Sequence, residues 1–327
     1  MDAKSSVPHM ATTFLFDEGL ILDAENGHYV PVPKSKASAH SPKEHMNLTA
    51  PTAPTRFTEA KKSHPEDHAA CRYSVQGAWL CHTGRVRRVN EDSLLAGVKF
   101  FGRSRETPTA IDIATGPWIV AVSDGIGGHR GGAEASREVV EGLSECSRVT
   151  PASVAEQLRK LNRDFCERGR TDSDLAAMGA TVAGIACGTR GLFAFNVGDS
   201  RVYRQEKKRL LQVTRDDSEA EDLIDVGLLQ PYDGPRPGFL HALTQAIGGR
   251  EEVVEIDPHM HSLHVEERTR FLICSDGLTD MLHSPEILEV LLAEPQADRA
   301  VKILFDRAMN AGGVDNITLA VIDIEKQ

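Results

Sequence analysis

The sequence predicts an α+β fold in which antiparallel sheets pack together under a cover of helices. Three observations carry this. Beyond residue 70 there are ten short strand-like segments, more than one modest sheet needs. The five amphipathic helical patterns come bunched rather than one after each strand, which argues against a parallel βαβ fold. No internal repeat divides the chain.

Taken in order, the first strand spans 73–81 and the second 92–98. The third, 118–123 (WIVAVS), is an uninterrupted apolar run of the kind buried on both faces. A helix over 132–144 follows a glycine-rich loop, and a second helix is expected over 153–168. Strands at 179–187, 192–197, 202–204 and 210–213 then come in close succession. A helix at 218–226 precedes strands at 253–261 and 270–274. Helices at 285–292 and 297–309 lead to the last strand at 317–324. In the last helix Ala300, Val301, Leu304 and Ala308 recur at helical spacing.

Residues 1–70 differ in kind and are expected to form a mostly flexible extension, leaving 71–327 as the folded domain. They hold 7 of the 16 prolines, and 30–68 lacks a sustained apolar period. Phe14 to Leu22 and His28 to Val32 flank Asn26-Gly27, a pair that favours the positive φ angles of a tight turn. A small hairpin or docking segment there competes with a plain tail.

Composition narrows the function. Acidic residues outnumber basic ones, 48 to 37, for a net charge of -11, and only 2 Trp and 4 Tyr are present. Nucleic acid is therefore not an expected partner. No stretch reaches the roughly 18 apolar residues of a membrane span, and no secretory leader is visible at the start. The six cysteines are scattered without a C-x-x-C pair, so thiols in a reducing, cytoplasmic setting are expected rather than disulfides or zinc.

The informative feature is a set of aspartates just after apolar strands. Asp124-Gly125 follows 118–123, Asp199 follows 193–198, and Asp276-Gly277 follows 271–275; Asp315 precedes the last strand. Each pair alone reads as a turn. Repeated at several strand ends, they would crowd carboxylates onto one rim, where repulsion is relieved by hard cations such as Mg²⁺ or Mn²⁺. The loop after Asp124, Gly125-Ile126-Gly127-Gly128-His129-Arg130-Gly131-Gly132, is too glycine-rich for a mere turn and lets backbone groups approach an ion.

These residues fall into an ordered series: Gly84 to Ser93, Asp124 to His129, Met178 to Thr181, Val197 to Arg201, Cys274 to Gly277 and Gly313 to Asn316. The series resembles that of the metal-dependent protein phosphatases, the type 2C Ser/Thr phosphatases, in their compact bacterial form, over about residues 72–325. The resemblance implies an α-β-β-α sandwich of two antiparallel sheets with a dinuclear Mn²⁺ or Mg²⁺ centre. It implies that Asp124 bridges both ions, that the Gly125 carbonyl ligates one, and that Asp276 and Asp315 hold the other. Glu91 would support an ion directly or through water, and Asp199 would help bind a weaker third. Arg87 would hold the substrate phosphate, against the alternative of a solvated basic run with Arg85 and Arg88.

The expected activity is hydrolysis of phosphoserine and phosphothreonine by a water activated between the ions, in a monomer that opposes a bacterial Ser/Thr kinase on its phosphorylated substrates. Ile126 stands where compact bacterial members usually carry Met, and it cannot donate a proton. Leaving-group protonation then falls to water on the ions or to His129, which has a structural loop-capping role as its alternative. The segment 214–229 resembles the family's flap, extended by 230–238. A catalytically inactive relative that binds phosphoproteins is the rival reading, opposed by the intact Asp124, Asp276 and Asp315. A two-metal nuclease is a poorer one at this charge.

Overall fold

A computed structural model of the chain describes residues 20–23, 28–31, 71–114, 116–127, 130–230, 242–250 and 252–327. Contacts group residues Met1–Lys62 and Ser63–Gln327 as separate units. In the first, β1 (Leu20–Asp23) pairs antiparallel with β2 (His28–Pro31), so the hairpin read from Asn26-Gly27 forms, its turn residues lying outside the described ones.

The second unit is built on two six-stranded antiparallel sheets. Its strands are β3 (Tyr73–His82), β4 (Ser93–Ala96), β5 (Lys99–Phe101), β6 (Thr109–Ile113), β7 (Trp118–Ser123), β8 (Gly125–Ile126), β9 (Gly179–Ala180), β10 (Val182–Gly188), β11 (Gly191–Val197), β12 (Arg201–Glu206), β13 (Arg209–Gln212), β14 (Ile247–Gly248), β15 (His259–Leu263), β16 (Thr269–Cys274) and β17 (Ile317–Lys326). One sheet runs β15-β11-β10-β7-β4-β5 and the other β13-β12-β16-β17-β3-β6. A small third sheet, β14-β9-β8, caps one end. The helices are α1 (Arg130–Ser144), α2 (Pro151–Thr171), α3 (Glu219–Asp225), α4 (Asp276–Thr279), α5 (Ser284–Ala293) and α6 (Ala297–Asn310).

Strand alternation explains the layering. Trp79, Val120, Ile185, Phe271 and Ile322 point between the sheets into one buried cluster. The opposite faces are covered separately: Ala121, Ala186 and Phe195 pack under α1 and α2, and Leu80, Leu272 and Val321 under α5 and α6. The result is the expected α-β-β-α sandwich. Helix α2 starts where a reciprocal cap fixes it, with Thr150 Oγ1 accepting from the Ser153 N–H at 3.1 Å and Ser153 Oγ from the Thr150 N–H at 3.0 Å.

The predicted elements depart from the structure where a side chain or glycine redirects the backbone. The strand read over 92–98 breaks at Gly97 (φ 67) into β4 and β5. The strand over 179–187 breaks at Thr181, whose N–H turns to the Asp124 carbonyl at 2.8 Å, so that β9 joins the small sheet instead. Of 253–261 only the end is strand. The carbonyls of Val254 and Ile256 accept from Asn162 and Arg159 on α2 rather than from a neighbouring strand. Strand β6, at an outer edge, was not foreseen.

One expectation is corrected by the cysteines. Cys71, just before β3, and Cys187, near the end of β10, are joined as a disulfide with Cα atoms 6.0 Å apart, while Cys81, Cys146, Cys166 and Cys274 are free. The two lie 116 residues apart and meet only because the two sheets bring these strand ends together, so spacing could not reveal them.

Candidate metal centre

Antiparallel pairing decides which acids meet. Strand β4 runs against β7 with Ser93 opposite Ser123, so Asp92, just before β4, sits beside Asp124, just after β7. In the second sheet β17 runs against β16 with Leu319 opposite Cys274, so Asp315, ahead of β17, comes next to Asp276, after β16. Asp199 leaves the same end of β11 and enters β12, the other neighbour of β16. Two sheets thus deliver five aspartates to one end of the sandwich.

The loops are held firmly. Asn316, only 3% exposed, accepts the Glu91 N–H on Oδ1 at 2.8 Å and donates Nδ2 to the carbonyls of Thr83 and Val89 at 2.9 and 3.0 Å. It therefore clamps the segment carrying Arg87 and Glu91 to the Asp315 turn. Glu91 is itself buried, and its carbonyl accepts Ser136 Oγ of α1 at 2.5 Å. Gly125 and Gly277 permit the close approach of these loops: a Cβ on Gly125 would lie 2.2 Å from the Gly132 carbonyl oxygen, and one on Gly277 1.9 Å from that of Asn316.

The electrostatics are those of like charges confined together. Burial pushes Asp124 well above the usual carboxylate range, and the charges of Asp92 and Asp276 push it further. Burial likewise raises Asp276, reinforced by Asp199, Asp280 and Asp315. Burial lifts Asp199 to about 7, with Asp216 adding to it and Arg201 opposing. Asp92, 1% exposed, is lifted to about 6 by burial, even though Ser275 Oγ donates to its Oδ2 at 2.9 Å. By surface area Asp124, Asp199, Asp276 and Asp315 are half-buried, leaving one side of the cluster open.

Arg87 donates Nη2 to Asp315 Oδ2 at 2.6 Å. Burial works against its charge, but Asp315, with Glu91 and Asp124 behind it, more than compensates and raises its pKa. The guanidinium, 49% exposed, thus faces the carboxylate rim. His129 lies outside the described residues. Asp92 was missed by sequence reasoning, which counted acids that follow strands and took this one as the first residue of a strand.

The donor set suits a hard cation. Buried Oδ1 atoms of Asp92 and Asp276 have no hydrogen-bond partner, the ligand atoms are all oxygen, and the crowded charge needs neutralising. Among the described residues no three acidic, His or Cys side chains already close into a ligand cage.

Residues 109–311, more than half of the chain, match the model of the protein phosphatase 2C family. The chain belongs to that family. The Ser/Thr protein phosphatase PstP of Mycobacterium tuberculosis is 29% identical over 246 residues, 74% of this chain but 43% of that protein, so the chain spans less than half of that relative's length. The Ser/Thr phosphatase Stp of Listeria monocytogenes (serovar 1/2a) is 29% identical over 73% of this chain and 92% of its own. A solved catalytic domain of PstP, in complex with two manganese ions, superposes with a TM-score of 0.60 at 29% identity, covering 78% of this chain and all of that one. The family's sandwich architecture is the one described above. Among the described residues no helix is long and apolar enough to cross a membrane.

Proposed function

We propose that this chain is a protein Ser/Thr phosphatase that hydrolyses phosphoserine and phosphothreonine on proteins with the help of two Mn²⁺ or Mg²⁺ ions, opposing a Ser/Thr kinase. The observation that carries this reading is the single rim on which five aspartates, Glu91 and the guanidinium of Arg87 meet, together with the family's naming and the two manganese ions of the PstP structure. Asp124, the Gly125 carbonyl, Asp276 and Asp315 would hold the two ions, with Glu91 and Asp92 behind them. Asp199 would serve a weaker third. The ions, when bound, would supply a water that deprotonates near neutral pH and positive charge opposite the phosphoryl oxygens.

The chain's own groups do the rest. Arg87 orients the ester, since its planar fork matches two phosphoryl oxygens and its partner Asp315 has a second task at the ions. Ile126 cannot donate a proton, so leaving-group protonation would fall to water at the ions or to His129. The flap around α3, where Val226 and Leu228 stand 68% and 60% exposed, would contact the substrate protein. A cytoplasmic setting rests on the four free cysteines, with Cys71–Cys187 pulling the other way.

The test is phosphate release from a phosphothreonine peptide in Mn²⁺, with and without chelator, for the wild type and for Asp276→Asn and Asp315→Asn. Release that needs Mn²⁺ and is lost in both variants with the fold intact supports the reading. Release indifferent to chelator overturns the metal-assisted reading, and peptide binding without release overturns the activity and leaves an inactive phosphoprotein-binding relative.

A further inference from the structure

The opposite end of the second sheet carries a feature of opposite charge. A groove of about 1110 Å³ lies between the tip of the β12–β13 hairpin and the C-terminus of α5. Its floor is one cross-strand row. Arg270 pairs with Asp323, and Gln205 is the next residue beyond the Arg204–Phe271 pair, one step past the Tyr203–Leu272–Val321 row that the helices cover. Six basic residues line the groove, Arg204, Lys207, Lys208, Arg209, Arg268 and Arg270, against only Glu206 and Asp323. This excess of four positive charges sits on a chain whose net charge is -11.

Part of that charge is structural. Arg270 is 11% exposed and donates to the carbonyls of Glu294 and Pro295 at 2.6 and 2.5 Å and to both oxygens of Asp323, tying the end of α5 to the sheet. Asp323 also takes Arg268 at 2.9 Å. The hairpin tip is different. Lys207, Lys208 and Arg209 are exposed and form no ion pair among the described residues. Lys207 also adopts φ 49, the only non-glycine residue described with a positive φ. An Asn or Gly there would cost less, since the left-handed region penalises other L-residues. On the floor, Gln205 Oε1 is buried with no hydrogen-bond partner, an acceptor suited to a peptide N–H. Leu292, 47% exposed, adds an apolar wall.

We propose that this groove docks an acidic, extended segment of a protein substrate, at a distance from the phosphorylated residue. Concave walls, an apolar strip and a waiting acceptor suit a peptide better than a flat bilayer, and the acidic remainder of the molecule repels a long polyanion. Strand β12 separates the groove from Asp199 by about five residues, roughly 17 Å at 3.3 Å per residue. The acidic run would therefore lie six or more residues from the phosphoresidue. Docking as such is independent of hydrolysis, while the link to substrate choice rests on the proposed function.

The test uses the full chain and a fluorescein-labelled, unphosphorylated decapeptide of Glu, Asp and Leu, followed by fluorescence anisotropy. Lys208→Glu with Arg209→Glu should weaken its binding at least tenfold, with hydrolysis of a small phosphate ester unchanged. Lys207 is left in place because of its φ. Lys208→Arg with Arg209→Lys should bind as the wild type does. A phosphothreonine peptide carrying the acidic run should lose tenfold in kcat/KM in the charge-reversed variant, and the same peptide without the run nothing. Equal decapeptide binding by the wild type and the charge-reversed variant overturns the proposal, as does binding abolished by Arg87→Ala, which would put the peptide at the catalytic end. Tighter binding of RNA or of phosphatidylserine vesicles through the same residues also overturns it. Absence of any phosphatase activity with decapeptide binding intact would count against the proposed function alone.

Discussion

Asp92→Asn should make the metal-free protein more stable and shrink the further stabilisation that metal gives. In the fold its carboxyl is 1% exposed and titrates at about 6, against an ordinary 3.8. A raised carboxyl pKa means that the folded state binds the proton more tightly than the unfolded chain. Stability is therefore highest below about pH 3.8, falls as pH rises through the folded pKa near 6, and stays low above it. A shift of about two pH units at 1.36 kcal/mol each sets the loss at ~3 kcal/mol. Asparagine never ionises. It keeps an acceptor for Ser275 Oγ and can turn an amide N–H towards Asp124. Chemical denaturation in chelator should show the two proteins alike near pH 3.5, with the variant ahead by ~3 kcal/mol near pH 8. In Mn²⁺ at a hundred times its Kd the wild type should gain about 2.7 kcal/mol, and the variant much less, because a ligand-supporting charge is gone. A constant offset between the two pH profiles, or a variant less stable at pH 8 in chelator, would refute the reasoning.

Arg87→Ala should raise KM for phosphate esters roughly 10- to 100-fold, the worth of one or two charge-assisted bonds, while Mn²⁺ binding measured by calorimetry stays intact; an unchanged KM for Arg87→Lys would return the residue to a solvated run. His259 hydrogen-bonds Asp217 at 2.8 Å, which raises its pKa against the opposing effects of burial and Arg215. A raised histidine pKa contributes stability below about 6.5 that is lost as pH rises through the folded value, so His259→Asn should cost about 1 kcal/mol near pH 5.5 and less near pH 9 in urea unfolding. An equal cost at both would assign the effect to packing. Every residue proposed for hydrolysis follows Cys71, so a chain beginning there should turn over a small phosphate ester at the full-length rate; loss of most Mn²⁺-dependent turnover would make residues 1–70 part of the domain.

The acids that follow strands were legible because an apolar run ending in Asp has a direction, and direction places the carboxylate at a sheet end. Asp124, Asp199 and Asp276 are of this kind. Asp92 was not, because its place depends on β4 running against β7, a pairing that neither sequence states. Cys71 and Cys187 were hidden for the same reason, as contacts between sheets rather than along a strand. The strand over 253–261 failed differently: its apolar Val253 and Val254 stay 41% and 45% exposed, and side chains of α2 satisfy carbonyls that a strand would have satisfied. Patterns along the chain report faces and ends, whereas partners across the fold are set by topology.

Topology also accounts for the separation of charge in the second sheet. Strand β12 has Asp199 before its start and Lys207 after its end; β16 has Arg268 before its start and Asp276 after its end; β17 has Asp315 before its start and Lys326 at its end. Because neighbouring strands alternate in direction, placing the acid after one and before the next gathers the three acids at one end and the basic residues at the other. Burial first, and neighbouring carboxylates after it, raise the pKa of Asp199 and Asp276 at the acidic end, so charge there costs stability. Basic side chains interleaved among them would relieve the repulsion but would compete for the oxygen atoms a cation needs. Two arginines reach this end: Arg201, paired with Asp216, and Arg87, which comes from outside the sheet on a loop held by Asn316 and bonds Asp315, a bond that in the proposed reaction would be exchanged for one to a phosphoryl oxygen.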